Sequence, residues 1–474
     1  MKNQARLLTT TPTTPSAKIL PPHLPLDVIH RVLDLAYYDD NFEPDRKLLA
    51  RCSLVCKDWS LPSQSLLFKH VQLRTQSAFE SFSAAVNHDS EKGRHLANSI
   101  ARLHVLLDFG NADALSISSF VAAVHLSSAM FELEVSIFGR GARREDDAWI
   151  VDAGADQTPS FDADILAMLC CGPQISALRV NNWSGNDQLA LQLLCVWPTL
   201  SSVHLTGLAP AVRSPESPDE TIAPFPCNLR EAHLSFQSSP TLSFATWLLL
   251  NSSQSLRVLH LEREVSPDLS KFLISQHKST LSSLTLHACT NPGLASLIQD
   301  CEELEELQFM DPHVSPLLLK KLPRALKHLA FAIDRNTLLH AAVDGLRAMK
   351  TLRRITIDVC PGGRVHPSMP GLKVACATNG ITLSRTSSAR AFHALVRGDP
   401  LPVTTFPRTK NVTNLKTMLA ISRSKDFAAA AASPRSVASL NVESLAACGT
   451  LPPTVDLSME LKDSTKPASA LVMV

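Results

Sequence analysis

The chain has 474 residues, 45% of them apolar, and 45 basic side chains against 44 acidic ones. That length holds two or three domains and a large core. A net charge of +1 without a long basic stripe argues against a nucleic-acid partner, and no apolar run is long enough to suggest a membrane span.

From the N-terminus, residues 1–20 are rich in Thr and Pro and carry Lys2, Arg6 and Lys18 but no acidic residue. They lack the apolar stretch of a secretory signal and are expected to be disordered. The eleven cysteines are scattered without a Cys-x-x-Cys pair, so no zinc site is expected. Unpaired cysteines without a secretory signal fit a reducing compartment, cytoplasmic or nuclear.

Residues 21–72 read as a helical module. Pro25 suits a first helical turn, and Ile29, Val32, Leu33 and Ala36 repeat along one face. An eleven-residue spacer, Tyr37 to Lys47, carries turn chemistry at residues 38–44. Leu48, Cys52, Val55 and Trp59 follow at i, i+4, i+7 and i+11, one stripe of a second helix. Leu66, Leu67, Phe68 and Val71 close the unit. Leu24-Pro25 at its start and Leu54-Val55-Cys56-Lys57-Asp58-Trp59 at its end resemble the F-box, the docking module of a family of ubiquitin-ligase subunits. The resemblance implies that Leu24, Pro25, Val28, Ile29, Leu48, Leu54, Val55, Cys56 and Trp59 are shared between the module's own core and the groove of a Skp-type adaptor on a cullin scaffold. The spacer is longer than that family's usual one.

Residues 73–384 carry a repeat, clearest over 175–360. The pattern L-x-x-L-x-L, with other apolar residues allowed, places Leu178/Val180, Val203/Leu205, Ala232/Leu234, Leu259/Leu261, Leu284/Leu286, Leu307/Phe309, Leu329/Phe331 and Ile355/Ile357 in eight copies 22 to 29 residues apart. Two weaker copies precede them, at Leu103/Val105 and Leu133/Val135. Helical segments lie between, at 164–171, 188–196, 243–250, 268–276, 294–301 and 338–349. A strand and a helix every two dozen residues resembles the leucine-rich repeat, whose units share one continuous core. The fold class expected is therefore α/β: a small all-α module followed by a solenoid with parallel strands inside and helices outside. A doubly wound sheet also alternates strand and helix, but it has continuous apolar strands and glycine-rich phosphate loops. The strands here alternate, and the chain has only 16 glycines. The repeat's ninth position, usually Asn or Cys, is Leu208, Gln237, Glu264, Cys289, Pro312, Asp334 and Cys360, so the turns are degenerate. Insertions at 139–160 and 210–226 read as surface loops. The insert-bearing, ragged arrangement is similar to F-box proteins of mushroom-forming fungi.

On the inner face, Arg179, His204, His233 and His260 fall in one column of successive strands. The plain expectation is a solvated polar column; the sharper one is a contact patch for a protein target. No metal is expected, because no carboxylate falls in that column. A second inner column, from Ala177 through Glu231 and Glu306 to Arg354, likewise reads as solvated. Residues 385–474, rich in Ser, Thr, Ala and Pro, are expected to be mostly disordered. No catalytic or cofactor constellation is present. What the resemblance implies is a non-catalytic substrate receptor of an SCF-type ubiquitin ligase. The alternative is a binding scaffold in which the hairpin merely caps the solenoid.

Overall fold

The computed structural model describes residues 24–37, 45–139, 142–145, 148–151, 159–212, 225–346, 349–359 and 366–386. Three helices, α1 (Leu26–Ala36), α2 (Arg46–Cys52) and α3 (Lys57–Lys69), run straight into the first strand, β1 (His70–Leu73). α4 (Gln76–Ala85) and α5 (Glu91–Ser99) precede β2 (Arg102–Asp108), and α6 (Ile117–Leu126) precedes β3 (Glu132–Phe138). A hairpin of β4 (Ala142–Glu145) and β5 (Ala148–Val151) and then α7 (Ala163–Cys170) lead to β6 (Ala177–Trp183). α8 (Leu189–Leu194) is followed by β7 (Ser202–Gly207) and β8 (Glu231–Phe236), and α9 (Leu242–Leu249) by β9 (Val258–Leu261). The rest alternates strictly: α10 (Pro267–His277), β10 (Ser283–Leu286), α11 (Pro292–Gln299), β11 (Glu306–Phe309), α12 (Pro316–Lys320) and β12 (His328–Ile333). α13 (Leu339–Leu346), β13 (Arg354–Val359), α14 (Met369–Thr378) and β14 (Thr382–Thr386) complete it.

Among the described residues, twelve strands form one sheet in the order β1-β2-β3-β6-β7-β8-β9-β10-β11-β12-β13-β14. Every neighbouring pair is parallel. Because the order never reverses, the sheet has no switch point of the doubly wound kind. The α/β chain thus stacks unit on unit. The apolar pairs of the repeat explain this: they alternate with polar residues, so each strand has one face fit for burial. All of them point to the helix side and join a single core running from Phe68 to Ile381. The helices begin where a short polar side chain accepts a main-chain N–H, at Ser116, Asp162, Thr241, Ser266 and Asn291.

Several boundaries differ from the sequence reading. β1 begins inside the span assigned to the helical module and ends one residue past it, and β14 runs two residues past 384. Both are edge strands, with a neighbouring strand on one side only. Residues 142–145 and 148–151, expected as loop, pair as an antiparallel hairpin. Phe225, assigned to the 210–226 insertion, is core: it is fully buried and donates its N–H to the Trp247 carbonyl. Residues 213–224, 1–23 and 387–474, and Cys360, lie outside the described residues.

The second helix is not one helix. α2 ends at Cys52 and α3 starts at Lys57, so Leu48, Cys52, Val55 and Trp59 do not share a stripe. Ser53 Oγ turns back onto the Ala50 carbonyl at 2.7 Å, and Cys56 is extended at φ −163°. The spacer is correspondingly shorter than read, since Arg46 and Lys47 already belong to α2 and Asp45 caps it by accepting from the Leu48 N–H.

Helix stacking on the outer side is close at Gly345 of α13. A Cβ built there would lie 2.0 Å from the Leu319 carbonyl oxygen. Gly345→Ala is expected to push α12 and α13 apart and to destabilise the fold by about 1–3 kcal/mol. The urea midpoint measures it; an unchanged midpoint would mean that the helices separate freely.

Candidate functional site

Two regions stand out, one at the N-terminal module and one on the inner face of the sheet. The module closes on its own small core of Ile29, Leu33, Tyr37 and Leu49, with Cys52, Trp59, Leu66 and Leu67 packed against it. These come from one face of α1 and the facing sides of α2 and α3. The opposite side of α1 is apolar as well. Leu24, Leu26, Val28, Val32 and Leu35 are 42–53% exposed, and in the α2–α3 turn Leu54 is 85% and Val55 65% exposed. Scattered exposed leucines need no explanation, but these seven exposed apolar residues in so small a module are more than scatter.

The structure therefore separates the nine residues that the sequence left mixed. Ile29 faces the module's core. Trp59 and Leu48 are half-buried, and Trp59 packs on that core. Leu24, Pro25, Val28, Leu54, Val55 and Cys56 are exposed. Val32, read as part of the buried stripe, points outward, and Leu49 rather than Leu48 fills the core. Leu26 and Leu35, which the sequence reading passed over, belong to the exposed set.

The module also holds the first edge of the sheet. The buried Tyr37 ring meets His70 of β1 edge-on at 6.0 Å, with the Lys69 ammonium 5.6 Å from its centroid. Arg46 donates to the His70 carbonyl at 3.5 Å. Burial, with Arg102 and other cations adding to it, drives His70 down to a pKa of about 3, so this joint keeps a neutral imidazole.

On the inner face, the strand register aligns Gln72, His104, Glu134, Arg179, His204, His233, His260, Thr285, Gln308, Ala330 and Thr356 in one row. The predicted column is real, but it is not solvated throughout. Arg179 and His204 remain partly open, whereas His233 is 4% and His260 2% exposed. A carboxylate, Glu134, does fall in the row, contrary to the sequence reading. The second row is buried too, at Glu132, Glu231, Glu306, His328 and Arg354. Strands about 4.8 Å apart bring long polar side chains into contact with their neighbours, and they cover one another.

Hydrogen bonds link these rows. Glu132, fully buried, is gripped by Arg102 Nη2 at 2.6 Å and by Arg179 Nε. Arg179 Nη1 reaches His204 Nδ1 at 3.1 Å. His204 stacks on His233, whose Nε2 meets Glu231 and whose Nδ1 meets His260 Nδ1 at 2.8 Å. Nearby, Asn181 donates to Glu134 at 3.1 Å and accepts from Thr206 at 2.9 Å. Burial alone would raise the Glu132 carboxyl, but the guanidiniums of Arg179 and Arg102 overcome it and hold the pKa at about 2. Glu132 in turn raises Arg179 further against the effect of burial. Glu132 was missed because it sits in a weak copy of the repeat. The signal was opposite charge at matching places, Arg102 in one copy and Glu132 in the next.

Among the described residues no group of three or more His, Cys, Asp or Glu is placed to hold a metal ion, and no helix is long and apolar enough to cross a membrane. No protein-family model matches the chain, and no curated protein is detectably similar to it in sequence.

Proposed function

We propose that this chain is the substrate-recognition subunit of an SCF-type cullin-RING ubiquitin ligase. In this reading residues 24–69 are an F-box that docks a Skp-type adaptor, and the stacked strands are a degenerate leucine-rich-repeat domain that holds a protein target. The chain itself supplies proximity rather than chemistry. The observation that carries the reading is the exposed apolar side of α1 and of the α2–α3 turn, which carries the same Leu-Pro and Leu-Val-Cys residues that resemble the F-box. The partly open inner-face residues Arg179 and His204, with His104, Glu134 and Asn181 beside them, are the target-contact surface of this proposal; His233 and His260 support it from below.

A scaffold reading has its own support, because Tyr37, Arg46 and α3 do cover the edge of β1. Capping uses the inward side of the module, however, and leaves unexplained why Leu54 and Val55 are apolar at 85% and 65% exposure. A pull-down with purified Skp-type adaptor separates the two. Wild-type protein is expected to bind, and Leu54→Asp with Val55→Asp is expected to lose at least tenfold in affinity, which is about 1.4 kcal/mol or more, with the urea midpoint unchanged. Absence of binding by the wild type would leave the scaffold reading standing.

A further inference from the structure

We propose that His233 and His260 form an acid-sensitive pair on the inner face, which holds one added proton in place and parts β8 from β9 when a second arrives. The two rings face each other across paired strands, Nδ1 to Nδ1 at 2.8 Å, with centroids 4.8 Å apart. Both are almost wholly buried.

Such a contact has room for a single hydrogen, since each imidazole nitrogen is either a donor or an acceptor. His233 Nε2 lies on Glu231 Oε1 and donates to that carboxylate. With the pair uncharged, His260 Nδ1–H donates to His233 Nδ1, and His260 Nε2 carries a lone pair. That nitrogen faces Glu262 Oε1 at 3.8 Å and is the entry point for the first proton. Once it is filled, the contact hydrogen can rest on either ring, and no atom has to move. A second proton has only the contact itself to occupy. It would put hydrogens on both Nδ1 atoms, pointing at each other, and set two cations side by side.

Groups from the neighbouring strands surround the pair. From β8 the pair sees Glu231, and from the residue after β9 Glu262. From β7 it sees His204, at 5.2 Å from His233, whose Nδ1 already receives the Arg179 guanidinium, and the hydroxyl of Ser202, which donates to Glu231. From β10 it sees the neutral Thr285, in register with His260, and beyond it His287, whose Nδ1 meets the Glu262 carbonyl at 3.1 Å. The β8–β9 ladder is short, from Glu231 opposite Val258 to Leu234 opposite Leu261, so few main-chain bonds resist a local break where the two rings meet.

Amide hydrogen exchange of the full chain at pH 7.5 and pH 5.0, corrected for intrinsic rates, tests this. Protection over 231–236 and 258–261 is expected to fall at least tenfold more than protection of β6, a strand that carries no histidine. His260→Gln, whose side-chain amide can still donate to His233 but takes no proton, should abolish that excess. An equal loss in all strands, or the same excess in His260→Gln, would overturn the proposal. Should that variant not fold, NMR of nitrogen-labelled histidines in the wild type decides. Linked titration of the two rings supports the pair, and two independent, unshifted curves sink it.

Discussion

Glu132→Ala is expected to destabilise the protein by about 3–5 kcal/mol, because it strips the shared partner from two cations. Arg102 and Arg179 have side chains only 16% and 24% exposed, and Glu132 accepts from both at 1% exposure. Without it the two guanidiniums are left close together with little water to screen them. Urea denaturation at neutral pH measures the loss. The size of the effect reflects the unpaired cations rather than the worth of the triad. Replacing all three residues by leucine is accordingly expected to recover much of the stability. A loss below about 1 kcal/mol for Glu132→Ala would mean that both arginines reach solvent and that the triad is a surface ion pair.

Stability is expected to be flat between about pH 7 and pH 8 and to fall steeply as the pH drops below 6.5, the ordinary histidine value. Three histidines cause this. Burial holds His277 down to about 4, while burial together with neighbouring arginines holds His70 and His328 to about 3. Above 6.5 neither the folded nor the unfolded chain protonates them. Between 6.5 and those lower values the unfolded chain binds protons that the folded one refuses. Each histidine therefore removes about 1.4 kcal/mol of stability per pH unit through that window. Glu132 extends the decline. Its carboxyl, held at about 2 against an ordinary 4.5, contributes stability that is present above 4.5 and lost as the pH falls toward 2. His277 is the cleanest place to check the sign, because its buried Nδ1 has no hydrogen-bond partner. His277→Leu should leave the neutral-pH midpoint near that of the wild type and make the acid slope shallower by about one histidine. An acid slope unchanged by that substitution would assign the decline to other groups.

Strand positions were readable because each strand needs two apolar residues two apart, and chemistry at alternate places repeats in every unit. Ten copies of the pattern fall on strands of one sheet. The edge strands were not readable, since His70–Leu73 and Thr382–Thr386 are covered by different neighbours from the interior ones. The break after Cys52 was hidden because Ser53 to Val55 contain neither Gly nor Pro, and the stop comes from a side chain folding onto the Ala50 carbonyl. Burial of the inner face was hidden for another reason. Sequence shows that His233 and His260 share a face, but covering depends on the side chains in the adjacent strands. The apolar residues of the N-terminal module were readable as a set, whereas their division into inward and outward required the helix orientations that put Ile29 and Leu49 inside.

In the proposed function, the exposed side of α1 and the α2–α3 turn is an adaptor-docking surface. Hydrogen exchange of this chain alone and with a saturating Skp-type adaptor tests it most directly. New protection is expected to be confined to residues 24–36 and 53–61, with the β2 to β13 strands unchanged. Identical exchange with and without adaptor, or protection appearing on the inner face instead, would contradict it.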